Sequence, residues 1–507
     1  MTLDKDLSSI QEMRDAVEKA NKAQQEFMQF SQWKIDSIVK AIATAAFHQS
    51  KELAQLAVEE TGMGVAEHKL LKNQVGSRDV YESIKDEKTI GIIHEDKENK
   101  VTEIAYPYGV VAAIIPTTNP TSTAMFKTLT ALKSGNAIVV SPHPRAKKCT
   151  VETLKVCMQA ALEEGAPEGL IGWISEPSME ATNQLMTHPD VNLILSTGGG
   201  GLVKAAYSSG KPAYGVGPGN VPVYIEKSAN VAKSVQMVVD SKTFDHGTIC
   251  ATEQAIVVDQ AIHEQVKKEL QKNGSYFCNA EEKKKMEQVI SIGPGKVNPD
   301  IVGKSALKIA ELAGLNVPSN TRLLIAEEDQ VGKNIPFSLE KLAPVFALYT
   351  AQNSNDAKKR CLELLNLGGR GHSFSIHTED DHLVREFGKA MPVSRVLVNT
   401  LSSIGAVGAT TALAPSMTLG CGAYGGNISS DNITARHLYN VKRIAYGVKE
   451  ADIPQPGKND AKIESNKQVE SLMKDAVEKS GVAAEGIDKA KIEQLVKQVL
   501  TEYQNQS

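Results

Sequence analysis

The feature that most constrains the fold is a regular alternation of apolar runs and helix-like stretches that begins at residue 109. Residues 109–115 (GVVAAII) are continuously apolar, as a strand covered on both faces must be. Residues 121–133 follow as a helix ended by Gly135, 137–140 as a second strand, 146–163 as a second helix, and 170–174 and 192–195 as further strands. Such alternation predicts right-handed βαβ units and a parallel sheet. Ligands of these sheets bind beyond the carboxyl ends of the strands. Here those ends carry Thr117-Thr118-Asn119-Pro120, Ser141-Pro142-His143-Pro144 and Ser196-Thr197-Gly198-Gly199-Gly200-Gly201.

The four-glycine run lets a helix N-terminus come close to an anion such as a pyrophosphate. It lacks the G-x-G-x-x-G spacing of the usual dinucleotide fingerprint, so a plain flexible turn competes with that reading. A second cluster, Gly215-Val216-Gly217-Pro218-Gly219-Asn220, precedes a strand at 221–225 and leads to S-K-T-F-D-H-G-T-I-C-A-T-E-Q at 241–254. There a turn delivers Cys250 just ahead of the apolar run 255–258. Presentation of this kind suits a nucleophilic thiol, whose thiolate is the reactive form. A small buried core residue is the competing reading of any single cysteine.

After Cys250 a second α/β half runs to about residue 420, and the cleft between the halves is the natural site. Ahead of the alternation, residues 9–60 carry apolar positions at helical spacing up to a stop at Thr61-Gly62-Met63-Gly64, and 101–105 reads as a short exposed strand. A net charge of −4 without a basic stripe argues against nucleic acid. The six cysteines have neither C-x-x-C spacing nor histidine pairing, so they read as reduced thiols and no metal is expected. The start, M-T-L-D-K-D-L, is too charged for a signal peptide, and no apolar run reaches membrane-spanning length. A cytoplasmic chain without membrane contact is expected. Residues 453–462 form a polar linker. Beyond it Ile492, Leu495, Val496, Val499, Leu500 and Tyr503 make one helical stripe, with Asp488 available as its N-cap. That stripe either docks on its own domain or meets a partner.

Together the motifs resemble the CoA-acylating aldehyde dehydrogenases, most nearly the aldehyde dehydrogenase half of bifunctional aldehyde/alcohol dehydrogenases. The carrying residues are 61–64 (TGMG), 116–120 (PTTNP), 215–220 (GVGPGN), 243–250 (TFDHGTIC), 340–345 (EKLAPV), 371–373 (GHS) and 418–426 (TLGCGAYGG). The resemblance implies an α/β aldehyde dehydrogenase fold, divided as a Rossmann-like cofactor domain (1–222, with a flap strand about 99–107) and a catalytic domain (223–420). A return to the cofactor domain with an oligomerisation flap (421–450), a linker (451–465) and a helical tail (466–507) complete it.

It further implies that Cys250 attacks a short aldehyde, acetaldehyde first and propionaldehyde next, while the Asn119 amide and the Cys250 backbone N–H hold the oxyanion. NAD then takes the hydride, and coenzyme A removes the acyl group as co-substrate. Thr117, Thr118, Ser141, Pro142, His143, Thr197, Gly198, Gly199, Gly217, Glu340 and Pro344 match cofactor-binding positions. Glu340 would hold the nicotinamide ribose, with a helix-start surface carboxylate as the alternative. His246 and His372 stand in site motifs; His246 either tunes the thiol or is an ordinary loop histidine.

Two departures carry information. Gly215 stands where hydrolytic relatives place a water-activating glutamate, which favours acyl transfer over hydrolysis, since general-base help is worth about 10²–10⁴-fold. Ser141 and Pro144 replace the lysine and glutamate that grip the adenosine ribose, which leaves NADP beside NAD. A homodimer or homotetramer is implied. The tail resembles the encapsulation peptides of microcompartment enzymes, with Ile492, Leu495, Val496, Val499 and Leu500 as the face for a shell or cargo partner. The competing functions are a hydrolysing or phosphorylating dehydrogenase and a non-catalytic microcompartment assembly protein.

Overall fold

Two parallel sheets, a small three-stranded one and the two-stranded pair Ser291–Gly293 and Lys296–Val297 organise the chain in the computed structural model, which describes residues 5–451, residue 453 and scattered positions between 467 and 499. The first sheet has five parallel strands in the order Ile171–Trp173, Ala137–Ser141, Val110–Ile114, Val191–Thr197 and Ala213–Val216. Helices Lys5–Phe27, Pro120–Lys133, Lys147–Glu163 and Met179–Thr187 pack around it. Its central strand is buried at every position, as covered parallel strands are.

Pro120–Lys133 is buried along its whole length rather than on one face. Helix Gln32–His48 and the segment Val75–Asp79 also pack on it, so it is enclosed. Several of its polar side chains are satisfied internally, although the Thr128 hydroxyl is buried without a partner. Lys127 Nζ donates to the carbonyls of Ile114 and Leu195, each at 2.8 Å, at the ends of the two central strands.

The second sheet has seven parallel strands in the order Ser275–Phe277, Leu323–Glu327, Val345–Ala351, Glu253–Asp259, Val221–Ile225, Gly371–His377 and Val393–Val398. Val221–Ile225 pairs with Glu253–Asp259 on one side and Gly371–His377 on the other. A domain boundary at 222/223 therefore cuts a strand, and the passage between the sheets lies earlier, at 217–220. Ala213–Val216, read from sequence only as part of a glycine cluster, is an edge strand of the first sheet.

The chain returns to the first core near its end. Ile433, Ala435 and Leu438 are buried there, and the Asn136 side-chain amide donates to the Leu438 carbonyl at 2.7 Å. The third sheet joins Gly91–Asp96, Val101–Pro107 and Tyr439–Ala445. The resemblance implies a flap strand at about 99–107 and a flap within 421–450; Gly91–Asp96 lies outside both, and GIIHED has no clean alternation to announce it. Ile92, Tyr106, Val441 and Ile444 are exposed on these strands.

In the tail, Leu495 is exposed and Val496 and Val499 half-buried, whereas Asp488, Ile492, Leu500 and Tyr503 lie outside the described residues. Among the described residues no helix is long and apolar enough to cross a membrane.

Candidate active site

The elements that place Cys250 are a helix, a strained turn and a buried strand. Helix Val231–Thr243 starts at Asn230, whose side chain accepts the Lys233 N–H. It runs into Phe244–Gly247, where Asp245 and His246 take left-handed φ values of 49° and 53°. Two non-glycine residues in that region cost about 1–3 kcal/mol each, so the surroundings must impose it. Asp245 supplies the restraint. Its N–H donates to His68 Nδ1 at 2.8 Å, and its carboxylate accepts from the Val65 N–H and the Thr248 hydroxyl, both at 2.7 Å. It also accepts from Lys69 at 3.0 Å and from Lys72. Burial alone would raise the Asp245 carboxyl, but Lys72 and Lys69 hold it down to about 2.

Cys250 follows, just before strand Glu253–Asp259, partly exposed and packed against an apolar cluster that includes Val216, Ile249, Leu397, Leu419 and Cys421. Desolvation, then the charges at Glu340 and Cys421, pushes its thiol up to about 12. The resting group is a protonated thiol, so the nucleophile forms when substrate and a proton acceptor are present.

Asn119 directly precedes helix Pro120–Lys133. Lys72 Nζ donates to its side-chain oxygen at 2.6 Å, and its amide nitrogen donates to Thr118 Oγ1 at 3.0 Å. An ammonium can only donate, so it fixes which end of the amide is oxygen. One N–H of Asn119 is left for a ligand. Lys69 Nζ ties the same loop down through the Thr118 carbonyl at 3.0 Å. Sequence reasoning missed Lys69, Lys72 and Asp245. The spacing H-K-L-L-K on helix Ala66–Gln74 was the available signal.

Glu340 lies in the loop before strand Val345–Ala351, with no helix starting at it, and its Oε1 accepts the Gly219 N–H at 2.8 Å. Desolvation raises its carboxyl. Gly219 in turn presses on the Cys250 backbone: a Cβ there would lie 2.0 Å from the Cys250 carbonyl oxygen. Glu340 thereby braces the loop behind Cys250.

His372 is fully buried, with Nδ1 3.0 Å from Ser373 Oγ and Nε2 without a partner. Burial and the Arg395 charge bring it down to about 3, so it is a neutral imidazole. Arg395 reaches the His372 carbonyl at 3.1 Å, Gly420 at 2.7 Å and Asn432 Oδ1 at 2.6 Å. His246 is half-buried, and burial lowers its pKa.

On the cofactor side, two helix N-termini differ. The start of Lys147–Glu163 already holds a carboxylate: Glu60 accepts the Lys148 and Cys149 N–H groups at 2.8 and 2.7 Å. The start of Gly200–Ser208 is open. A Cβ on Gly199, Gly200 or Gly201 would meet nothing within 4 Å, and the hydroxyls of Ser196 and Thr197 are buried without partners. Open space, an unopposed N-terminus and orphan donors fit a dinucleotide pyrophosphate.

Gly198 borders this opening in sequence, Gly217 follows Val216, the register partner of Thr197, and a Cβ on Gly217 likewise meets nothing within 4 Å. Thr117 and Thr118 are partly exposed at the adjoining strand end. Ser141 is buried and bonded to Thr182 at 2.8 Å, Pro142 is buried, and His143 is exposed with Nδ1 accepting the Arg145 N–H at 3.1 Å. Pro344 is buried, and its carbonyl accepts the Leu324 N–H at 3.1 Å, which makes it part of the sheet.

Gly215 is the most informative position. A Cβ there would meet Val203 at 2.7 Å and the Tyr207 ring at 3.0 Å, and its N–H donates to the Tyr207 hydroxyl at 2.9 Å. The space a water-activating side chain would need is filled by an aromatic ring.

The sequence profile of the aldehyde dehydrogenase family matches residues 6–294. An acetylating aldehyde dehydrogenase from Geobacillus thermoglucosidasius is 53% identical and superimposes with a TM-score of 0.88 over 90% of this chain and 100% of that one. The propionaldehyde dehydrogenase of Rhodopseudomonas palustris, solved with bound propionyl-CoA, is 29% identical with a TM-score of 0.79 over 86% of this chain and 94% of that one. The bifunctional aldehyde-alcohol dehydrogenase of Escherichia coli K12 is 46% identical over 444 residues, which is 87% of this chain and 50% of that protein. The chain thus spans about half the length of the curated relatives it first matches.

Proposed function

The chain belongs to the aldehyde dehydrogenase family, and on that premise we propose that it is a CoA-acylating dehydrogenase of short aldehydes. One observation carries the choice of acceptor. Tyr207 and Val203 occupy the space beside Gly215, so no carboxylate stands there to activate water against an acyl-enzyme. CoA-bound and acetylating relatives support the same reading.

Cys250 Sγ attacks the aldehyde carbon, and the resulting oxyanion meets the spare Asn119 N–H and the Cys250 backbone N–H. NAD, when bound over the open glycine run, is the hydride acceptor. The thioester on Cys250 is then attacked by the coenzyme A thiolate through a second tetrahedral oxyanion at the same donors, and the enzyme thiol is released. Glu340 keeps the loop behind Cys250 in place throughout.

NAD is the proposed cofactor, with NADP as the alternative, since exposed His143 and Arg145 stand beyond the Ala137–Ser141 strand end. Acetaldehyde is the proposed substrate and propionaldehyde the next. The exposed apolar residues of the third sheet support association into a homodimer or homotetramer. The linker and striped tail support packaging in a bacterial microcompartment through a shell or cargo partner. A non-catalytic assembly role is disfavoured by the intact Cys250 and Asn119 geometry.

Mixing the protein with acetaldehyde and NAD, with and without CoA, tests the reading by NADH absorbance. Steady turnover only with CoA is expected. Steady turnover without CoA, or with phosphate in its place, would replace it by a hydrolysing or phosphorylating enzyme.

A further inference from the structure

The buried cluster beneath Asn119 carries one positive charge more than its own stability needs. Lys69, Lys72 and Asp245 are all at most 3% exposed, and two ammonium groups share a single carboxylate. His68 accepts the Asp245 N–H through Nδ1, and burial lowers its pKa, so it adds no charge to the cluster. Lys69 paired with Asp245 alone would be neutral, and burying a further charge is costly. Of the two lysines, Lys69 reaches only the Thr118 carbonyl of that loop, whereas Lys72 touches the Asn119 side chain itself. Its Nζ contacts Asn119 Oδ1 at 2.6 Å and, two residues before the nucleophile, Thr248 Oγ1 at 2.9 Å.

We propose that Lys72 is a positioning residue for the oxyanion site, holding the Asn119 amide oxygen so that its N–H faces the tetrahedral adduct formed on Cys250. The inference deepens the proposed function and rests on its assignment of Asn119 as an oxyanion donor. Without the ammonium, the amide has two near-isosteric orientations, one of which turns its oxygen toward the oxyanion. Fixing the donor in advance is what makes such a site effective. The excess charge also favours an oxyanion in a water-poor pocket. Burial brings the Lys72 ammonium down to about 8, against the opposing pull of Asp245.

The test uses p-nitrophenyl acetate, which needs neither NAD nor CoA, on the full-length protein. Cys250 Sγ forms a bond to the acetyl carbon, the ester C–O bond breaks, nitrophenolate leaves, and the thiol proton goes to solvent. This acylation passes through an oxyanion. Alkylation of the same thiol by iodoacetamide is a direct displacement with no oxyanion, so it serves as the control.

Lys72→Met is expected to slow the nitrophenolate burst on the order of 100-fold, the size of losing one oxyanion donor. It is expected to leave the iodoacetamide rate within about threefold, since the donor serves only the oxyanion. In an Asn119→Ala background the same substitution should cost less than about threefold, the non-additivity of residues acting as a unit. Equal slowing of both reagents, or full additivity with Asn119→Ala, would overturn the inference. Because Lys72→Met leaves a neutral Lys69–Asp245 pair, the variant should melt no lower than the wild type. Should it fail to fold, Thr248→Val, which removes the hydroxyl beneath the same ammonium, goes into the same cycle with the same criterion. The Cys250→Ser protein fixes the background rate for both reagents. Absence of CoA-dependent turnover in the wild type would count against the proposed function alone, because neither reagent depends on it.

Discussion

Two glycine-rich stretches meet near the site, and they are glycine for opposite reasons. Around Gly199 to Gly201 an added methyl would touch nothing, so the space is kept clear for something that is not protein. Around Gly219 the added methyl would lie 2.0 Å from the Cys250 carbonyl, so the space is already taken by the nucleophile's own backbone. On the proposed reading one stretch makes room for a ligand, whereas the other lets the protein close on itself behind Cys250. The difference teaches that glycine content alone does not mark a binding loop. What surrounds the missing side chain decides it.

The comparison can be broken by substitution. Gly219→Ala should have the largest effect: displacing the Cys250 loop by even about 1 Å can cost on the order of 100-fold in kcat. Overpacking there should also lower stability by about 1–3 kcal/mol, read as a fall in denaturant midpoint. Retained activity with an unchanged midpoint would mean the loop yields freely. Gly199→Ala should do the reverse. The backbone there has φ −63° and ψ 155°, open to any residue, so stability should not change. The KM for NAD should rise about tenfold, equivalent to about 1.4 kcal/mol of binding. An unchanged KM would move the pyrophosphate elsewhere.

The smallest effect sharpens the picture of the closed region. Glu253, three residues after Cys250, is fully buried, accepts from Ser241 at 2.5 Å and the Ser402 N–H at 3.1 Å, and is pushed up to about 7 by burial. Its folded pKa exceeds the unfolded value of 4.5. Its stabilising contribution is therefore complete below about pH 4.5 and lost as pH rises through about 7. Thermal melts from pH 5 to pH 8 should show a fall on the order of a few degrees in the wild type that Glu253→Gln lacks. Parallel curves would place the proton elsewhere.

Much of this was readable in advance. The strands at 109–115 and 137–140 announced themselves because a strand covered on both faces has to be apolar throughout. Cys250, Asn119 and Gly215 could be named because each lies inside a local motif. Lys69, Lys72 and Asp245 could not, since the bonds that join the two lysines to Asp245, Thr118 and Asn119 span more than 45 positions in sequence. Pro344, which matches a cofactor-binding position, also ties into the sheet through Leu324, a contact that no local motif displays. The strand at Val221–Ile225 was found, but its sheet was not, because a short apolar strand carries no label for which neighbour it will pair with.

By itself, then, the sequence determined the α/β class and the alternation of strands and helices from 109 to 195, and it marked Cys250 and Asn119 as the candidates on which the proposed chemistry rests. These follow from periodicity and from short-range motif chemistry, which survive in one dimension. Only the tertiary structure decided which glycines face empty space, that Tyr207 fills the place beside Gly215, and that a doubly cationic cluster holds Asn119. Those are properties of distance between residues remote in the chain, and burial and charge pairing acquire values only once the chain has folded.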